Sequence, residues 1–184
     1  MNKFLTPAEQ KTALNLARNT LELEFGLTDK KFTDYESLEI FTEKRGVFVT
    51  LRKNGELRGC VGLIEPIKPL GEAIEEMARA AAFDDFRFSP MTKKEWPEIK
   101  IEISVLTMPE KIDNPDKIIL GRHGVIIRSG LRSGVFLPQV AEETGWSLGE
   151  FMDELCTQKA GLAKNCWRDG TAEIYVFEAQ VFGE

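Results

Sequence analysis

The chain has 184 residues, 42% of them hydrophobic and 29% charged, which excludes disorder and suits one domain with a buried core. Its 24 basic residues stand against 30 acidic ones, and a net charge of −6 argues against a general binder of nucleic acid or anionic membrane. No run of about 18 apolar residues is present to cross a membrane, and the opening ten residues lack the apolar core of a secretion signal.

Thr6-Pro7-Ala8-Glu9 reads as a helix start, with Thr6 as cap, Pro7 in the first turn and Glu9 closing a capping box. Leu14, Leu16, Ala17, Leu21 and Leu23 follow at helical spacing, and Gly26 ends the helix. Val47 to Leu51 is β-branched and aromatic; Asn54-Gly55 then suits a type I′ turn, and Leu57 to Ile64 returns as the second strand of a hairpin. With a two-residue loop, Lys53 faces Glu56, Val49 faces Cys60 and Leu51 faces Arg58. Pro69 to Phe83 carries Leu70, Ala73, Ile74, Met77, Ala78 and Ala81 on one face and predicts a second helix. Ile99, Ile101, Ile103 and Val105 alternate with polar residues, as in a half-buried strand.

Further on, Val125-Ile126-Ile127 and Gly134 to Leu137 read as two strands around a turn over 129–133. Ser147 to Gly161, opening on a Ser147–Glu150 capping box, predicts a third helix, and Glu173 to Phe182 a closing strand. Helices and hairpins mix without a regular βαβ alternation, so the fold class is α+β. With no linker in sight, residues 1–184 are expected to form a single domain.

Cys60 leads the residues that carry chemistry. Beside Gly59 and Gly62 it has room for a ligand, and Arg58 on the same strand face would stabilise a thiolate. The alternative is a small buried hydrophobe, since in that register it shares its face with Val47, Val49 and Leu51, which raises a thiol pKa. His123 is the one histidine, so a Cys–His mechanism must use it as base; otherwise it is a turn residue bonded to backbone. Asp85 and Arg87 lie among Phe83, Phe86 and Phe88. Either Asp85 pairs internally with Arg87 or Arg58, or Arg87 is free to grip a carboxylate or phosphate.

From Lys117 to Ala141 there is no acidic residue, whereas Lys117, Arg122, Arg128 and Arg132 are present: an anion-binding patch or a solvated hairpin. A single histidine excludes the His-Glu-x-x-His zinc motif, and no Walker A or Gly-x-Gly-x-x-Gly fingerprint occurs, so neither metal nor cofactor is expected. Three cysteines without a secretion signal read as reduced thiols in a cytoplasmic protein, with Cys156 and Cys166 unbridged.

Several stretches together resemble the AMMECR domain family. Leu57-Arg58-Gly59-Cys60-Val61-Gly62 is similar to that family's Leu-Arg-Gly-Cys-Ile-Gly motif, with Val for Ile. Asp85-Phe86-Arg87-Phe88-Ser89-Pro90 resembles its Asp-x-Arg-Phe-x-Pro segment, and Gly121-Arg122-His123-Gly124, Leu137-Pro138-Gln139, Gly145-Trp146 and the closing Phe177 to Phe182 also match in order. The resemblance implies a mixed fold with a larger and a smaller lobe, intracellular residence, and an association with Memo-type and radical S-adenosylmethionine proteins. It implies no reaction. Two functions follow as expectations. One is a binding module for an anionic ligand or a protein partner, using Arg58, Gly59, Gly62, Asp85, Arg87 and Arg122. The other is a cysteine enzyme with Cys60 as nucleophile and His123 as base.

Overall fold

The computed structural model describes residues 4–184. It divides into two compact units, one running through Thr107 and taking in Gln180–Glu184, the other comprising Met108–Ala179. The class is mixed α+β, and the strand pairs named below are all antiparallel.

The first unit begins with α1 (Pro7–Glu24), capped by the expected Thr6–Glu9 box. A short helix α2 (Glu39–Thr42), not foreseen in the sequence, precedes the hairpin of β1 (Val47–Lys53) and β2 (Glu56–Leu63). Helix α3 (Leu70–Phe83) and strand β3 (Ile99–Leu106) follow. Asn54 and Gly55 both have positive φ, 53° and 84°, as a type I′ turn requires. The strand order is β2–β1–β3. Alternation turns Val47, Val49, Leu51, Ile101 and Ile103 to one face, where they pack with Ala13, Leu16, Ala17 and Leu21 of α1 and Leu70, Ile74, Met77 and Ala81 of α3.

The hairpin register differs from the expected one. Lys53 pairs with Glu56 and Arg52 with Leu57, but then Leu51 pairs with Gly59, Thr50 with Cys60 and Val49 with Val61. Arg58 is therefore the extra residue of a β-bulge, and every residue beyond it moves to the other face. At the bulge, Arg58 bonds to Glu95 (Nε to Oε1, 2.8 Å) and to the carbonyl of Ser89 (2.9 Å). Cys60 thus shares its face with Thr50, not with Val49 and Leu51. In place of the three aliphatic residues expected beside it, Cys60 has the Thr50 hydroxyl and, on the same face, the Phe48 ring.

The second unit contains β4 (Glu110–Ile112), β5 (His123–Ser129), β6 (Arg132–Phe136), α4 (Gln139–Thr144), α5 (Leu148–Glu154) and most of β7 (Glu173–Gly183). Strand β5 lies between β6 and β7, and β4 pairs with β7. Val125, Ile127, Phe136, Phe151, Met152, Leu155 and Ile174 form its core. The third helix is shorter than its periodicity suggests. After Glu154 it widens into a π-helical turn over Leu155–Lys159, closed by Ala160 N–H donating to Leu155 C=O.

That turn brings Cys156 to Cys166, and the two are joined as a disulfide in the core, with Cα atoms 6.6 Å apart. The expectation of two unbridged thiols is corrected. Ten residues separate them along the chain, a distance that carries no pairing signal; only the fold of the 160–166 turn makes them neighbours. Closing a loop of this length stabilises by about 2–3 kcal/mol in the chain-entropy account. Cys156→Ala or full reduction is therefore expected to lower the melting temperature by roughly 5–10 °C. A non-reducing peptide map that shows both residues as free thiols would contradict the bridge. Among the described residues, no helix is long and apolar enough to cross a membrane.

Candidate functional site

Cys60 sits at the middle of β2, half-buried, and its Sγ accepts a hydrogen bond from Thr50 Oγ1 at 3.2 Å. Its backbone is held as firmly as its side chain. The Cys60 N–H donates to Asp85 Oδ2 at 2.9 Å, and its carbonyl accepts from Arg87 Nη2 at 3.1 Å. Asp85 and Arg87 close the clamp on one another through Nε–Oδ1 at 2.9 Å and Nη2–Oδ2 at 2.7 Å, a fork-to-fork ion pair. Of the two pairings expected for Asp85, the one with Arg87 is present, and Arg58 takes Glu95 instead.

The electrostatics follow from these contacts. The Arg87 guanidinium, opposed by burial and helped by the Cys60 and Arg87 N–H groups, holds the Asp85 carboxyl well below the usual carboxylate range. Asp85 in turn raises Arg87. Glu95 is drawn down to about 2 by Arg58 and by the Thr92 N–H. Phe88 lies near both arginines, with its ring centre 5.8 Å from the Arg58 guanidinium and 5.6 Å from that of Arg87.

A concavity of about 550 Å³ opens beside Cys60. Phe48, Val61, Gly62 and Phe86 supply apolar walls, and Cys60, Asp84, Asp85 and Arg87 the polar groups. Phe86 is 96% exposed, although both its neighbours are pinned to Cys60. The glycines of the motif serve packing. A Cβ on Gly59 would strike the carbonyl oxygen of Ala81 in α3, and one on Gly62 would strike the Phe48 ring. The room expected beside the thiol lies in front of the strand, between Phe48 and Phe86.

His123 and Arg122 belong to the second unit and are not among the residues lining this concavity. His123 opens β5 instead of sitting in a turn, and its Nδ1 accepts the Ile119 N–H at 3.1 Å, which leaves the proton on Nε2. Arg122 is bound to Glu178 at 2.8 Å. The acid-free stretch is similarly engaged at Arg132, which donates to Gly161 C=O, and at Arg128, whose guanidinium lies 5.4 Å from the Tyr175 ring centre.

Thr50, Glu95 and the exposure of Phe86 were not foreseen. Thr50 was hidden by the bulge, and Glu95 lies 37 residues from Arg58 with no spacing signal to connect them. Phe86 stands out only by contrast with Phe83, which packs against the core.

With this geometry in place, the likeness to known proteins is informative. The AMMECR1 family model matches residues 14–182. The chain belongs to the AMMECR1 family. Protein MK0488 of Methanopyrus kandleri is 49% identical, the match covering 100% of this chain and 92% of that protein. Protein MJ0810 of Methanocaldococcus jannaschii is 44% identical over 99% of this chain and 93% of its own length. The solved structure of uncharacterized protein PH0010 from Pyrococcus horikoshii has 41% identity and a TM-score of 0.76, covering 94% of this chain and 89% of that one. The AMMECR1 match spans the Leu57–Gly62 motif, the Asp85–Pro90 segment that clamps it, and the β5 segment with His123.

Proposed function

We propose that this AMMECR1-family chain is a binding module that takes a segment of a protein partner into the concavity between Phe48, Cys60 and Phe86. The observation that carries the reading is Phe86, a large aromatic left 96% exposed on backbone fixed by the Asp85–Arg87–Cys60 clamp. Rigidly presented aromatic side chains beside an apolar hollow are what binding surfaces use as anchors. A small anion is the weaker choice, because each arginine expected to attract one already faces a carboxylate: Arg87 with Asp85, Arg58 with Glu95, Arg122 with Glu178. Such pairs leave little uncompensated charge.

The cysteine-enzyme alternative is favoured by one contact, the hydroxyl that Thr50 directs at Cys60 Sγ. It needs a base, and the carboxylate nearest to hand, Asp85, is held far too acidic to serve. A cytoplasmic location fits the binding reading, and Memo-type and radical S-adenosylmethionine proteins are the first partners to try.

The test uses peptides selected from a random display library on the immobilised full chain. Selected peptides are expected to protect Cys60 from N-ethylmaleimide, to lose about tenfold or more in affinity with Phe86→Ala, and to bind Cys60→Ser nearly as well as the wild type. Peptides indifferent to Phe86 and to Cys60 alkylation would refute the reading.

A further inference from the structure

We propose that the partner segment binds as an extended strand, added to the outer edge of β2 at Gly62 and carrying a basic residue beside an apolar one. This rests on the partner-binding reading and specifies its mode. In the order β2–β1–β3, β2 is the outer strand. Residues of an antiparallel strand alternate between turning their N–H and C=O toward the neighbour and away from it. Cys60 turns both away from β1, because its N–H reaches Asp85 and its C=O is reached by Arg87. Gly62, two residues on, turns its own groups the same way, toward the concavity it lines.

Asp85 and Arg87 do for Cys60 what a neighbouring strand would do. A carboxylate oxygen receives the N–H and a guanidinium donates to the C=O. Among the described residues no side chain repeats this for Gly62. The ladder is thus continued by side chains for one residue and then stops, and an edge left in that state is a template for strand addition. Directly paired residues turn their side chains to the same face of a sheet. The residue paired with Gly62 therefore points its own side chain to the face of Phe48 and Cys60, between Phe48 and Phe86, and both of its chain neighbours point to the other face.

Charge selects among occupants. Asp85 and Arg87 cancel, which leaves Asp84 as the net charge of the lining. A lysine or arginine on the same face as the apolar residue complements it. A second copy of this chain does not, because a symmetric pairing of two β2 edges sets the two Asp84-bearing rims against each other.

The probe is the synthetic form of a peptide selected as above, and the readouts are residue-resolved amide exchange of the full chain and an N-methyl scan of the peptide. In the free chain the Gly62 amide is expected to exchange faster than those of Val61 and Leu63, which face β1. The bound peptide should slow it about tenfold or more, the worth of one hydrogen bond. One N-methyl group, at the pairing residue, should weaken binding by a similar factor while its neighbours tolerate the change. Asp84→Asn should weaken binding roughly threefold and reduce its salt dependence. A peptide that needs Phe86 but leaves Gly62 exchange unchanged would overturn strand addition while the partner-binding reading stands. Failure to recover any peptide dependent on Phe86 would overturn both. Protection of Gly62 that grows with protein concentration in the free chain would assign the edge to a second copy and overturn the proposal.

Discussion

Gly59→Ala is expected to destabilise the first unit by about 3 kcal/mol or more, seen as a fall in the urea midpoint and a melting temperature lower by roughly 10 °C. The added Cβ would collide with the carbonyl oxygen of Ala81 and lie 3.0 Å from its carbonyl carbon. Both are backbone atoms of α3, held by the helix ladder and unable to rotate aside. The helix would have to lift away from β2 and take Ile74, Met77 and Ala81 with it. Two other glycines serve as controls with different physics. Gly55→Ala meets nothing within 4 Å but sits at φ +84°, so its cost is about 1 kcal/mol of backbone strain. Gly62→Ala meets the Phe48 ring at 2.3 Å and, less closely than Gly59 meets Ala81, the backbone carbonyl oxygen of Val47 at 2.6 Å, and should fall between the two. A Gly59→Ala variant as stable as the wild type would mean that α3 does not approach β2 as described.

Asp85→Ala is the second large effect, expected to cost about 2 kcal/mol, chiefly from the Cys60 N–H left without its acceptor. The carboxylate is nearly inaccessible, at 4% exposure, and its loss leaves the Cys60 N–H without its acceptor and the Arg87 guanidinium without its counter-ion. Asp85→Asn should cost less, since the amide oxygen still accepts one of these bonds. The pH dependence has a definite sign. Asp85 and Glu95 both have folded pKa values below their ordinary ones, so each contributes fully above about pH 4.5 and loses its contribution as pH falls. For Glu95 the loss runs from about 4.5 down to about 2; for Asp85 it extends to still stronger acid. Acid unfolding followed by circular dichroism is expected to be shallower in Asp85→Asn and in Glu95→Gln than in the wild type. Unchanged acid curves in both variants would show that these ion pairs do not couple to folding.

How much of the site was legible before the structure depends on how locally each part is encoded. The motif residues and the Asp85–Arg87 pair stand out in the chain because they are close in sequence. Their relation to each other does not. Twenty-five residues separate Cys60 from Asp85, and the return of the chain after α3 is what sets the carboxylate against the thiol's backbone. The same return buries Met91 and bonds it to Ala82, so the 84–91 segment is fastened at both ends.

The sequence by itself determined the elements whose signals are local. The Thr6–Glu9 and Ser147–Glu150 capping boxes, the Asn54-Gly55 turn, the apolar stripe of α3 and the alternation of β3 all formed as read, because propensity, capping and periodicity act over a few residues. Only the tertiary structure decided which face Cys60 occupies, that Cys156 meets Cys166, and that Arg58 is tied to Glu95. Each of those depends on contacts between distant segments. One residue, Arg58, paired with the distant Glu95, drops out of the ladder, and since strand side chains alternate with a period of two, that displacement turns the thiol from the core to the pocket.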